Sequence, residues 1–68
     1  MNITDRQQRA LKTPGGVFHF DSGGDNYRLL QEAEELESLG LIRIEVHQYS
    51  QHAIYECHVT EAGEKAGG

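Results

Sequence analysis

The sequence predicts a small α+β domain in the order helix-strand-helix-strand-strand, with an antiparallel sheet. Three observations carry this reading. Leu29, Leu30, Ala33, Leu36 and Leu39 recur at helical spacing and stop at Gly40. From Leu41 onward the apolar residues alternate instead. Ahead of both, Thr4-Asp5-Arg6-Gln7 has the pattern of a capping box.

Each element follows from local chemistry. The Thr4 hydroxyl and the Gln7 side chain can each satisfy an unpaired amide, so a short helix is expected from Asp5 to Lys12, burying Ala10 and Leu11. Thr13-Pro14-Gly15-Gly16 ends it, because proline disfavours helix in the preceding residue and glycine loosens the chain. Val17-Phe18-His19-Phe20 is β-branched and aromatic and reads as a strand. Asp21-Ser22-Gly23-Gly24 is a loop, and Asp25 is the expected N-cap of the second helix. Gly40 should adopt the left-handed conformation, with Leu41 folded back on Leu36 in a Schellman closure.

The hairpin pattern is equally explicit. Ile42, Ile44 and Val46 alternate with Arg43, Glu45 and His47, while Ala53, Tyr55, Cys57 and Val59 alternate with Ile54, Glu56 and His58. One face is apolar and the other charged, as in a half-buried antiparallel pair. No Asn-Gly marks a tight turn. A two-residue turn at Ser50-Gln51 would set Glu45 against Glu56. A four-residue loop from Ser50 to Ala53 sets His47 against Glu56 and Glu45 against His58. Such pairs differ by about 0.2–1 kcal/mol each, so the second register is expected. The core is expected to contain Leu30, Ala33, Leu36, Ile44, Val46, Tyr55, Cys57 and Val59.

A chain of 68 residues makes one domain, residues 1–68, with 1–4 and 65–68 as flexible ends. It buries about 60% of the surface its unfolded form exposes, so a protein partner or a homo-oligomer would supplement a small core. The single cysteine, Cys57, excludes an internal disulfide and agrees with a reducing compartment. No apolar stretch approaches the length of a membrane span, so the expected location is cytoplasmic, with no membrane contact. A net charge of −5 disfavours non-specific attraction to nucleic acid. Charge is also uneven: Arg6, Arg9 and Lys12 lie on the first helix, while Asp25, Glu32, Glu34, Glu35 and Glu37 face only Arg28 on the second. Solvated helix faces are the plain explanation of both runs.

The segment Leu36-Glu37-Ser38-Leu39-Gly40-Leu41-Ile42 looks like the end of a recognition helix turning into a wing. Val59-Thr60-Glu61-Ala62-Gly63 looks like the exit from the wing's last strand. In this order the two resemble the second half of a winged-helix domain, over about Asn26 to Glu64. The usual second helix of the helix-turn-helix has no counterpart between the first strand and the second helix, which gives a pared-down unit. The resemblance implies a DNA-binding transcriptional regulator, with Asn26, Arg28, Gln31 and Arg43 as the residues that would meet DNA. The Gly67-Gly68 end also resembles that of ubiquitin-like sulfur carriers, but those open on a β-hairpin and this chain opens on a polar helix.

No catalytic, cofactor or metal set is expected. His47, His52, Cys57 and His58 share the hairpin, yet no cysteine pair precedes them, and alternation puts Cys57 and His58 on opposite faces. Glu34 and Glu35 sit on an exposed helix face with no apolar pocket to raise a pKa. Ser22-Gly23-Gly24 lacks the lysine of a P-loop. The expected function is therefore that of an acidic, non-enzymatic protein-interaction module. Tyr27, Gln31, Glu34, Glu35 and Ser38 would meet a partner with a basic surface. Small acidic domains of this kind are common among bacteriophage and mobile-element accessory genes, and by analogy this one is expected to modulate a host or phage complex.

Overall fold

The computed structural model describes residues 3–21 and 26–67. Helix α1 (Asp5–Leu11) is followed by a 3-10 turn (Pro14–Gly16), strand β1 (Val17–Asp21) and helix α2 (Tyr27–Ser38). Strands β2 (Ile42–Gln48) and β3 (Ala53–Val59) then lead into helix α3 (Glu61–Gly67). The fold is a small α+β domain with one three-stranded antiparallel sheet, in the order β1-β3-β2.

The capping box forms as the sequence indicates. Gln7 N donates to Thr4 Oγ1 at 3.0 Å, and Thr4 N donates to Gln7 Oε1 at 2.8 Å. Gln7 does more than cap. It is only 3% exposed, and its Nε2 donates to Glu32 O at 3.1 Å and to Glu35 Oε2 at 2.9 Å, which locks α1 onto α2. The expected Asp25 cap of α2 lies outside the described residues. Asn26 precedes the helix without a side-chain cap, and its Nδ2 donates to Asp21 O at 2.7 Å instead.

At the other end of α2 both Schellman bonds are made, Leu41 N to Leu36 O at 2.9 Å and Gly40 N to Glu37 O at 2.9 Å. Gly40 sits at φ 77°, where a Cβ would be strained. The closure drives Leu41 into the core beside Leu36.

Leu11, Ala33, Leu36, Leu41, Ile42 and Cys57 form the buried cluster, with Ile3, Phe18, Phe20, Ile44, Val59 and Ala66 packed against it. Among the expected core residues, Ala33, Leu36 and Cys57 are buried, Ile44 and Val59 are half-buried, and Tyr55 stacks on Phe20 with ring centroids 5.2 Å apart. Leu30 is only half-buried. Val46 departs most, being 54% exposed. It points to the apolar face, but α2 ends over the start of β2, where Leu36 packs with Ile42 and Glu37 reaches Ile44. Leu39, the C-cap residue, is 47% exposed and leaves the stripe there.

The register is the one that charge pairing alone disfavoured. Glu45 is the Cα partner of Glu56, His47 of Ile54 and Arg43 of His58. Tyr49 to His52 make the connection, closed by Tyr49 N donating to His52 O at 2.8 Å and by stacking of those two rings. Both registers put the same residues on each face, so alternation could not separate them. The observed one pairs Ile42 with Val59, Ile44 with Cys57 and Val46 with Tyr55. The expected one would have placed Glu61 opposite Ile42 and drawn Thr60 and Glu61 into the strand.

Those two residues instead begin α3, an element the sequence reading omitted. Thr60 anchors it: its Oγ1 accepts from Gly63 N at 3.1 Å and donates to Gly40 O at 2.7 Å, and its amide donates to Leu41 O at 3.0 Å. Gly63 and Gly67, one turn apart, let α3 lie against the Leu41 backbone and Leu11. Residues 65–67 thus belong to a packed helix rather than a flexible end, and Thr4 of the expected N-terminal flexible end caps α1. Among the described residues no helix is long and apolar enough to cross a membrane.

Candidate functional site

Two surfaces gather polar chemistry: the outward face of α2, and the face of the sheet opposite the core. Tyr27, Gln31, Glu34 and Ser38 follow one another four, three and four residues apart, so they form one row along α2. All four are exposed, Tyr27 at 62%. Tyr27, Gln31 and Glu34 make no ion pair or side-chain hydrogen bond among the described residues, while Ser38 Oγ donates to Glu35 O at 2.8 Å.

The remaining acids of α2 are engaged within the molecule. Glu32 pairs with Arg6 Nε at 3.1 Å and accepts from Thr4 Oγ1 at 3.2 Å. Glu35 accepts from Gln7, and Glu37 Oε2 accepts from the Ile44 amide at 3.0 Å. The basic run of α1 and the acidic run of α2 are therefore partly used to hold the two helices together. Of the five residues expected to meet a partner, Glu35 has a structural role as well.

The four residues expected to contact DNA do not share one surface. Asn26, Arg28 and Gln31 lie at the start of α2, with Asn26 half-buried and bonded to Asp21. Arg43 alternates with the buried Ile42 and so points away from the helices, where it pairs with Glu45.

The second surface is the charged face of the hairpin expected from alternation, extended by β1. His19 of β1, Arg43, Glu45 and His47 of β2, and Glu56 and His58 of β3 all face away from the helices. Their centre is Glu56, which occupies the middle of the middle strand. His58 Nε2 lies 2.5 Å from Glu56 Oε2, and His47 Nε2 and His19 Nε2 lie 3.0 and 3.6 Å from Glu56 Oε1. The contacts expected between facing residues are thus made on the diagonal and along the strand. Hydrogen bonding from His58 foremost, and then from His47, holds the Glu56 carboxyl below the usual carboxylate range against the opposing effect of burial.

Sequence reasoning brought His47 to Glu56 and Glu45 to His58 but missed their convergence with His19 on Glu56, because it weighed β2 against β3 alone. His19 comes from β1, and the two-residue difference in register changes which side chains meet. The signal was the set of three histidines and two glutamates at alternate positions on three strands. His52, one of the four metal candidates of the hairpin, stacks on Tyr49 in the turn. Cys57 faces the core, where burial foremost and then the charge of Glu37 push its thiol up to about 11. That removes it as a nucleophile near neutral pH.

A groove of about 310 Å³ opens between α1, β1 and α2, floored by Ala10, Phe18, Phe20 and Leu29 with Arg6 and Arg9 at its rim. Its accessible walls are mostly apolar.

No family model matches the chain, and no curated protein or solved structure matches it either.

Proposed function

We propose that this chain is a small non-enzymatic protein-interaction module that docks through the outward row of α2 on a partner with a basic surface. One observation carries the reading. After α1 and the sheet have engaged Glu32, Glu35 and Glu37, the row Tyr27, Gln31 and Glu34 stays exposed and, among the described residues, without side-chain partners. An exposed tyrosine beside a carboxylate is a suitable anchor, since aromatic residues supply much of the binding energy of interfaces and charge steers the encounter. The net charge of −5 makes a basic partner surface the complementary one. By analogy, the module acts as an accessory component, of the kind carried by phages and mobile elements, that modulates a larger complex.

A winged-helix likeness supports a second reading, DNA binding. What supports it is that the Schellman closure leads α2 directly into a hairpin. It is the weaker reading, because Arg43 and the start of α2 lie on different sides of the sheet.

The test is photo-cross-linking from position 27 in cell lysate, comparing the parent with Glu34→Lys. Glu34 is the appropriate site because Glu35→Lys would also break the bond to Gln7. Capture of a basic protein that disappears in Glu34→Lys, most completely at low salt, is the expected result. Capture that is indifferent to Glu34→Lys would refute the reading. So would salt-sensitive duplex binding by the parent that tightens in the variant, which would establish the DNA reading instead.

A further inference from the structure

Glu45 and Glu56 are Cα partners on adjacent strands. Like charges directly opposite each other destabilise a sheet, and here Arg43 beside Glu45 and the histidines beside Glu56 already offset part of that repulsion. His58 closes the third side, its Nε2 2.5 Å from Glu56 Oε2 and 3.8 Å from Glu45 Oε2. One ligand atom from each of these three residues lies within 4.8 Å of the other two. We propose that Glu45, Glu56 and His58 bind a Zn²⁺ ion on the helix-free face of the sheet, with water completing the coordination.

The donor set suits that ion. Zn²⁺ takes imidazole nitrogen and carboxylate oxygen at about 2.0–2.2 Å, so tetrahedral ligand atoms stand about 3.3–3.6 Å apart. The two His58 separations bracket that span, and small side-chain rotations bring the three atoms to it. The backbones are already fixed, because β2 and β3 are paired through all three positions. Three protein ligands leave a position open to water or to a partner's side chain.

The surroundings prepare one carboxylate for the role. His47 and His19 both approach Glu56 Oε1, which leaves Oε2 directed at His58. They act as positioning residues, in the way that partners beyond the metal ligands orient them in metal sites generally. Arg43 is bonded to Glu45 and must swing away when the ion enters. Its side chain is 61% exposed, so it can do so into solvent.

The test is calorimetric titration of the full chain with Zn²⁺ alone, with Co²⁺ absorption as a second readout of coordination. The expected result is one ion per chain, raised melting temperature, and affinity weakened at least about tenfold in His58→Ala and in Glu45→Gln. Glu45→Gln removes one of two opposed charges, so the sheet itself should tolerate it, and circular dichroism confirms the fold of each variant. His52→Ala, altered only in the turn, should bind as the parent does. The proposal is overturned if the parent binds no Zn²⁺, or if folded Glu45→Gln and His58→Ala bind with parental affinity. It is equally overturned if binding is lost in His52→Ala or Cys57→Ser while those two variants keep it.

Discussion

Replacing Gly63 by alanine sets local propensity against packing, and the two give opposite signs. Gly63 lies inside α3, where alanine is favoured over glycine by about 0.8–1.0 kcal/mol. A Cβ at this position would stand 2.0 Å from Leu41 O, 3.0 Å from Leu41 C and 2.9 Å from Val59 Cγ1. The obstacle is backbone and cannot rotate aside, since Leu41 O accepts from Thr60 N and Leu41 N donates to Leu36 O. Restoring an ordinary C···O contact of about 3.3 Å means lifting α3 by about 1 Å. That also stretches the cap bond from Gly63 N to Thr60 Oγ1. Overpacking costs about 1–3 kcal/mol, and a backbone clash belongs at the upper end. The net expectation is a loss of about 2 kcal/mol, which lowers the melting temperature of a domain this size by about 8–16 °C. Thermal unfolding followed by circular dichroism measures it, with Gly67→Ala as the comparison. There the added Cβ meets the Leu11 Cβ at 2.8 Å and Leu11 C at 3.3 Å, which the backbone holds in place, but the overlap is shallower than the 2.0 Å approach at Gly63, so the loss should be smaller. A Gly63→Ala protein melting at or above the parent would show that propensity wins, and that α3 does not rest on the Leu41 carbonyl.

Leu36→Ala removes a side chain only 1% exposed and should cost about 2–5 kcal/mol, a large share of the stability of so small a domain; urea unfolding at parental midpoint would refute its central place. Glu56 contributes stability that is present above the ordinary glutamate value of about 4.3 and is lost as pH falls through its lower folded value. The stability gap between the parent and Glu56→Gln should therefore narrow below about pH 4, and a gap that widened on acidification would contradict this. Cys57, buried and with its thiol pushed up to about 11, should react with iodoacetamide in native protein far more slowly than in urea; equal rates would show that the core opens freely.

What the sequence made legible is what neighbouring residues decide. Thr4 and Gln7 are three positions apart, and Leu36 and Leu41 five, so cap and closure could be read without knowing the fold. The alternation of β2 and β3 was equally local. The register was not, because a two-residue slip preserves both faces, and the deciding contacts involve Thr60, Leu41 and a third strand. Helix α3 was hidden by Gly63 and Gly67, residues that count against a helix in isolation and are needed for its close packing here. The burial of Gln7 required knowing that Glu32 and Glu35 lie over α1. For the surfaces, the row on α2 followed from helical periodicity. The Glu56 cluster did not, since His19 lies 37 residues before Glu56 in the chain and meets it only across the β1–β3 pairing.

The hydrogen bond from the Ile44 amide to Glu37 has a consequence for assembly. Strand β2 is an outer strand, and outer strands offer unpaired amides as templates for a further chain. Here one such amide already donates to a carboxylate carried by the packed helix. An incoming strand would have to evict that carboxylate, and would bring its own carbonyl row towards a negative charge. The bond therefore acts as a guard against edge-to-edge aggregation, and Glu37→Ala would convert the middle of β2 into a site for sheet extension.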